Sequence, residues 1–138
     1  MPAGSKAGEK VMILILGAFL GFISVAFGAY AEHGLREVVT DEHFRFLMTA
    51  VRYNQVHAVV ITAIGLALLN GGKLSCIPAL KWSGLLFIIG TMLFSFSIYL
   101  SVSLDLPGLV NITPVGGMTI MAAWLLLMMT GFLARKKL

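Results

Sequence analysis

The sequence Val51-Arg-Tyr-Asn-Gln-Val-His-Ala-Val59 places five strongly polar side chains at the start of an apolar run that continues to Leu69. Counting back from Leu69 at about 1.5 Å per helical residue, His57 lies about 18 Å up the helix and Arg52 about 26 Å. In a hydrocarbon core about 30 Å thick, His57 is expected inside the bilayer and Arg52 near its far interface. Ionisable groups at such depths are costly, so each one is a hypothesis about function.

The composition around this stretch is that of a membrane protein. The 138 residues are 59% hydrophobic and 12% charged, whereas a soluble domain is roughly 45–50% apolar and about 25% charged. A net charge of +4 could indicate a nucleic-acid partner, but most basic residues flank apolar segments or lie at the termini. We therefore expect no nucleic acid. The single cysteine, Cys76, excludes an intramolecular disulfide and a multi-cysteine metal site.

Four apolar runs predict an all-α polytopic membrane protein with four transmembrane helices in an antiparallel bundle. Thr40, followed by two acidic residues, is expected to cap the second helix, which starts in the membrane interface. Thr113 is expected to cap the fourth, with Pro114 at its first position. The predicted segments are a flexible tail at 1–10, helices at 11–31, 41–69, 82–104 and 113–133, and a basic tail at 134–138.

Basic residues are distributed unevenly between the two predicted membrane faces. The face with both termini carries seven, against Arg36, Arg45 and Arg52 on the other. The positive-inside rule therefore predicts cytoplasmic N and C termini in the cell inner membrane, and it argues against a dual-topology multidrug exporter. The first run also has features of a cleaved signal peptide ending near Ala29-Tyr30-Ala31, although it is longer than the usual apolar region of about 7–15 residues.

Small residues recur where helices are expected to approach closely. A stripe along the first helix has spacings of four, three and four, which is typical of a helix-packing face. Further glycines lie in the third helix and in the first turn of the fourth. The residues predicted to pack helices together are Gly17, Gly21, Ser24, Gly28, Gly90, Gly116 and Gly117.

Connectivity brings most intramembrane polar residues to the face opposite the termini, in the predicted outer leaflet. We expect Arg52 to pair with Glu32 or Asp105, or to reach the lipid phosphates. One hypothesis is that the group satisfies its own hydrogen bonds and locks the bundle. The predicted cluster is Glu32, His33, Arg52, Tyr53, Asn54, His57, Tyr99, Ser101, Asp105, Asn111 and Thr113.

Four segments resemble the YgdD-like family of small four-helix inner-membrane proteins, which has no assigned activity. They are Gly28-Ala-Tyr-Ala-Glu-His-Gly-Leu35, Thr49-Ala-Val-Arg-Tyr-Asn-Gln-Val-His-Ala58, Phe94-Ser-Phe-Ser-Ile-Tyr99 and Ile112-Thr-Pro-Val-Gly-Gly117. The resemblance covers nearly the whole chain. It implies a four-span membrane protein and supplies no catalytic residues.

The sequence favours a structural or accessory membrane component whose partners are the bilayer and either further copies of itself or a larger membrane complex. One alternative is a proton or small-solute transporter with Glu32, His33 and His57 as titratable groups. Another is haem held by two histidines, or a lipid headgroup held by Arg52 and the helix start at Thr113–Gly117. No metal-ligand spacing or nucleophile–base set is visible, so we expect no enzyme and no cofactor.

Overall fold

The computed structural model describes residues 3–137 and contains four helical spans long and apolar enough to cross a bilayer. It has no strand among those residues. This confirms the predicted all-α, four-span architecture, while the side of the membrane that the termini face stays a prediction. The elements are α1 (Ala3–Tyr30), a π-helical turn (Ala31–Leu35), α2 (Asp41–Leu69), a 3-10 turn (Lys73–Cys76), α3 (Pro78–Thr91), a π-helical turn (Met92–Phe96), α4 (Ser97–Ser103), a 3-10 helix (Pro107–Ile112) and α5 (Thr113–Lys137).

The terminal tails are more helical than predicted. Helix α1 includes residues 3–10, and α5 continues through Lys137, so the predicted flexible tail at 1–10 was wrong for residues 3–10. Alanine, lysine and glutamate are good helix formers, and Glu9 adds an ion pair of 2.8 Å to Lys81 at the start of the third span. Met1, Pro2 and Leu138, which also belong to the predicted tails, lie outside the described residues.

Helix α2 has the predicted bounds, 41–69, because both of its ends are set by local sequence. The Thr40 hydroxyl accepts a hydrogen bond of 3.1 Å from the backbone N–H of His43, which satisfies one free donor of the first turn. At the other end Gly71 takes a φ of +71°, a conformation that favours glycine and stops the helix.

The start of the last span differs from the prediction. The 3-10 helix Pro107–Ile112 runs directly into α5, and Thr113 has helical backbone angles with its N–H bonded to the carbonyl of Val110. Thr113 is therefore not an N-cap, and that prediction was wrong. The third span also starts early, at Pro78, where a proline needs no N–H partner.

The spans are not arranged as a square. Helix α2 and the third span (Pro78–Ser103) form the centre, α1 packs on α2, α5 packs on α3, and the backbones of α1 and α5 approach each other little. An apolar cluster that includes Ile13, Ile61 and Phe87 fills the half nearer the termini. A second cluster around Leu47 and Tyr99 fills the opposite half.

The predicted glycine stripe of α1 lies against α2. A Cβ added to Gly17 would lie 2.8 Å from the Thr62 backbone nitrogen, whereas one at Gly21 would make an ordinary contact of 3.8 Å with Ala58. At Gly28 it would lie 3.3 Å from Val51. Ser24 is buried and donates to the carbonyl of Gly21 in its own helix. Within this stripe, Gly17 is thus the position where a Cβ would meet backbone of the other helix.

Helices α3 and α5 cross even more closely. A Cβ on Gly116 would lie 2.4 Å from the Phe94 backbone nitrogen, and one on Gly90 would lie 2.9 Å from the backbone nitrogen of Ile120. Gly117 has room, since its nearest neighbour would be the Phe94 ring at 3.8 Å. Gly65 of α2, which was not predicted, lies equally close to the backbone of Leu14.

Candidate functional site

The π-helical turn Met92–Phe96 gives the candidate site its shape. Such a turn inserts an extra residue into a helix and is frequent at functional sites. Here Ser95 is buried and donates a hydrogen bond of 2.8 Å to the Ala50 carbonyl of α2. The preceding ring, Phe94, stacks on Tyr53 with centroids 4.4 Å apart. The turn thus fastens the third span to the polar stretch of α2.

Asn54 and Tyr99 form a buried side-chain hydrogen bond at the centre of the site. The Asn54 amide Nδ2 donates to the Tyr99 hydroxyl over 3.2 Å, and both residues are almost fully buried. The Tyr99 ring stacks on Phe27 of α1 with centroids 3.9 Å apart. One tyrosine therefore contacts both α1 and α2. The Asn54 Oδ1 atom has no hydrogen-bond partner among the residues that the structure describes.

His57 uses both ring nitrogens. Nδ1 lies 2.7 Å from the Tyr53 carbonyl, which can only accept, so Nδ1 carries the proton. Nε2 then accepts a hydrogen bond of 3.2 Å from the indole Nε1–H of Trp124 in α5. The imidazole also stacks on Phe87. These contacts select the neutral Nδ1–H tautomer, since a second proton at Nε2 would face the indole N–H.

Ser97 and Thr113 join the third span to α5. Their hydroxyl oxygens are 2.7 Å apart, and Ser97 also donates to the Phe94 carbonyl, so Thr113 is the donor to Ser97. We call the five buried residues that make these interhelical contacts the polar layer: Asn54, His57, Ser95, Ser97 and Tyr99.

The predicted ion pairs of Arg52 do not form. Between residues 3 and 137 the ion pairs are Glu32 with Arg36 and Glu9 with Lys81. The Arg36 guanidinium, four residues further along the chain and the nearest cation in sequence, instead donates to the Glu32 carboxylate. Arg52 is exposed at the edge of the bundle. Pairing with Glu32 or Asp105 was therefore wrong, and contact with lipid phosphates stays a prediction.

Of the remaining predicted residues, Thr113 contacts the polar layer through Ser97, and the others lie around it. His33 and Asn111 are exposed, and Asp105 lies in the connection after α4 with a φ of +52°. Asp105, Ser101 and Thr113 line a separate cavity of about 280 Å³, together with His43 and Thr49. The predicted cluster thus divides into the polar layer and a group of surrounding residues, of which Ser101 is buried and the others are partly or fully exposed.

Trp124 and Ser95 are site residues that the sequence analysis missed. Tryptophan in membrane proteins is concentrated at the interfaces, whereas Trp124 lies in the middle of the fourth apolar run. That position was a usable signal for a polar partner within the membrane. The alternation of serines in the third span gave no indication of which hydroxyls cross to another helix, because serine also bonds its own preceding turn.

The site offers no cluster of metal ligands. Across residues 3–137, no group of three or more histidine, cysteine, aspartate or glutamate side chains lies close enough to hold one ion. Nor is a nitrogen of His57 free for coordination, since Tyr53 and Trp124 occupy both.

Comparison with known proteins connects the chain to membrane proteins of unknown function. Residues 27–117 match the family model described as protein of unknown function, DUF423. The inner membrane protein YgdD of Escherichia coli is 31% identical over 125 residues, covering 91% of this chain and 92% of its own. A membrane protein of Staphylococcus haemolyticus is 32% identical over 121 residues, covering 88% and 95%. YwdK of Bacillus subtilis is 30% identical over 116 residues, covering 84% and 92%. No solved structure matches the chain.

Proposed function

The chain belongs to the DUF423 family of inner-membrane proteins of unknown function, and we propose that it is a structural or accessory membrane component whose polar layer locks the helices together. The observation that carries this proposal is the engagement of His57, whose two nitrogens bond α2 and α5 at the same time. Leaving a polar group unpaired in hydrocarbon costs several kcal/mol. Hydrogen-bonded pairs between helices therefore oppose separation of those helices.

The other members of the polar layer support the same role. Asn54, Ser95 and Ser97 each bond a residue of another span. Interhelical hydrogen bonds in membranes contribute about 0.6–2 kcal/mol each, and they fix the rotation of one helix against another. A set of such bonds at one depth specifies a single packing arrangement.

The packing of the half nearer the termini argues against transport. That half is filled by an apolar cluster in which Ile13, Leu20 and Phe87 are almost fully buried. A proton or small solute needs polar groups or water along its whole path. The polar layer ends at His57, and both ring nitrogens of that residue are engaged in hydrogen bonds.

Haem ligation and catalysis receive no support from the geometry. Haem iron requires a free imidazole nitrogen, and the buried histidine has both nitrogens engaged. The predicted headgroup site at the start of α5 is also unsupported, because the preceding 3-10 helix already bonds the N–H of Thr113.

An accessory role agrees with the location of the exposed surface, which lies mainly on the membrane-spanning helices. The connections between spans, at residues 36–40, 70–77 and 104–112, are short. Contacts with further copies or with a larger complex would therefore form within the membrane. The outward faces of α1 and α5 are the largest ones available, with Phe22, Val25 and Leu125 more than 60% exposed.

The proposal is tested by comparing His57→Ala with His33→Ala in the purified full chain. Unfolding in detergent should show His57→Ala destabilised by at least about 2 kcal/mol, because the variant leaves a cavity and an unpaired Trp124 N–H. The exposed His33 should change stability by less than about 0.5 kcal/mol. Unchanged stability of His57→Ala, together with loss of a transport activity, would contradict the proposal.

A further inference from the structure

A continuous groove runs along the junction of α1 and α2 on the outside of the bundle. Its apolar part has a volume of about 490 Å³ and its polar end about 340 Å³, and the two share Val25 and Gln55. The polar end includes Glu32, His33 and Arg52.

The apolar part has the dimensions of a lipid chain site. Its floor consists of small residues, Gly17, Gly21 and Ala58, and its edges are Val59 and Leu66, which are 71% and 56% exposed. From Arg52 to Leu66 the groove follows 14 residues of α2, or about 21 Å. This exceeds the roughly 15 Å half-thickness of the hydrocarbon core. An extended acyl chain therefore fits along it.

The polar end of the groove has the positive charge and the depth in the membrane that a phosphate site requires. Arg52 makes no ion pair within the described residues, while the charge of Glu32 is balanced by Arg36 at 2.8 Å. One guanidinium charge is thus uncompensated where α2 emerges toward the membrane face opposite the termini. Arginine binds phosphate through two parallel N–H donors and is the side chain best suited to that group.

We propose that this groove binds an anionic phospholipid, with one acyl chain between α1 and α2 and the phosphate on Arg52. A zwitterionic lipid offers the same chain but no net charge, so discrimination between the two lies at Arg52. This site goes beyond the proposed function, because it uses the outer surface of α1 and α2 and none of the polar layer.

A second groove competes for Arg52 and must be separated in the test. It lies between α2 and α5, has a volume of about 480 Å³, and is lined by Tyr53, Met121 and Trp124. Its aromatic floor lacks the run of small residues that accommodates a chain in the α1–α2 groove. Filling either groove separately identifies which one holds the lipid.

The experiment reconstitutes the full chain in vesicles of equal parts dioleoyl phosphatidylglycerol and dioleoyl phosphatidylcholine, and native mass spectrometry then counts the lipids that remain bound. We expect phosphatidylglycerol to be enriched about fivefold over phosphatidylcholine, the ratio that one basic residue near a membrane surface provides. Arg52→Gln should reduce the ratio to about one, while the matched control Arg45→Gln should retain it. Both arginines are exposed, so neither variant should affect folding.

Ala18→Phe, which fills the α1–α2 groove, should abolish bound lipid, while Met121→Trp, which fills the other groove, should not. Excess inorganic phosphate should fail to displace the lipid. Equal binding of the two lipids by the unmodified chain would overturn the proposal. So would equal losses from Arg52→Gln and Arg45→Gln, loss of lipid from Met121→Trp alone, or displacement by phosphate.

Discussion

The Nε2 atom of His57 accepts a hydrogen bond of 3.2 Å from the indole of Trp124, and this bond connects α2 to α5 within the membrane. The backbones of those helices approach each other little. Phe87 of α3 contacts both side chains: it stacks on His57 and packs edge-on against Trp124 with centroids 5.0 Å apart. The bond therefore fixes α5, whose other packing is mainly against α3, relative to the centre of the bundle.

Replacing Trp124 with phenylalanine should destabilise the protein. The variant keeps an aromatic ring against Phe87 but removes the N–H, which leaves the Nε2 of His57 buried without a donor. We expect a loss of about 1–3 kcal/mol in the free energy of unfolding, measured by denaturant titration in micelles. The two tryptophans are similarly exposed, Trp82 at 55% and Trp124 at 43%, so Trp82→Phe is a matched control and should have little effect. Equal stability of the two variants would argue against the bond.

Asn54 and Tyr99 should be energetically coupled. Tyr99→Phe removes the hydroxyl and leaves the Asn54 amide unpaired, whereas Asn54→Leu together with Tyr99→Phe removes both partners. The double variant should therefore be more stable than the sum of the single losses predicts, with a coupling of about 0.5–1.5 kcal/mol. A double-mutant cycle on unfolding free energies measures this term. A coupling of zero would mean that the 3.2 Å contact contributes nothing.

Two adjacent glycines of α5 should respond very differently to alanine. Gly116→Ala would place its Cβ 2.4 Å from the Phe94 backbone, so the third span and α5 would have to move apart. We expect the free energy of unfolding to fall by about 1–3 kcal/mol, as at other overpacked sites. Gly117→Ala meets nothing closer than 3.8 Å and should be tolerated. Thermal unfolding of both variants measures the two losses of stability. A larger loss for Gly117→Ala than for Gly116→Ala would contradict the close packing described at Gly116.

The glycine stripe of α1 should show the same contrast. Gly17→Ala would bring a Cβ to 2.8 Å from the Thr62 backbone, while Gly21→Ala would make an ordinary contact with Ala58. The first should weaken the α1–α2 pair and the second should not, although both belong to one sequence motif. Protease accessibility of the connection at residues 36–40 in detergent reports on this pair. Equal protection of the two variants would contradict the assignment.

The spans and the ends of α2 could be predicted because their causes are local. Hydropathy decides which runs enter the bilayer. Thr40 begins α2 through its hydrogen bond, and Gly71 ends α2 through its backbone conformation. The start of α5 could not be predicted in the same way. The 3-10 helix Pro107–Ile112 supplies the partner that an N-cap would have supplied, and nothing local distinguishes the two solutions.

The contacts of the site were harder to predict, because the rotation of each helix about its axis is not encoded in hydropathy. Lipid and protein core are equally apolar, so a shared membrane face did not show that Arg52 and Asp105 form no ion pair. The pairing of Glu32 with Arg36 was local and could have been expected. The bond between His57 and Trp124 required the positions of two helices far apart in sequence.

Proton flux into vesicles that contain the purified chain tests most directly whether the polar layer is a lock or a path. A pH-sensitive dye trapped inside reports the rate after an external acid step, with protein-free vesicles as the reference. Our account predicts equal rates, because the buried apolar cluster closes the half nearer the termini. A faster rate that depends on the protein and disappears in His57→Ala would contradict it.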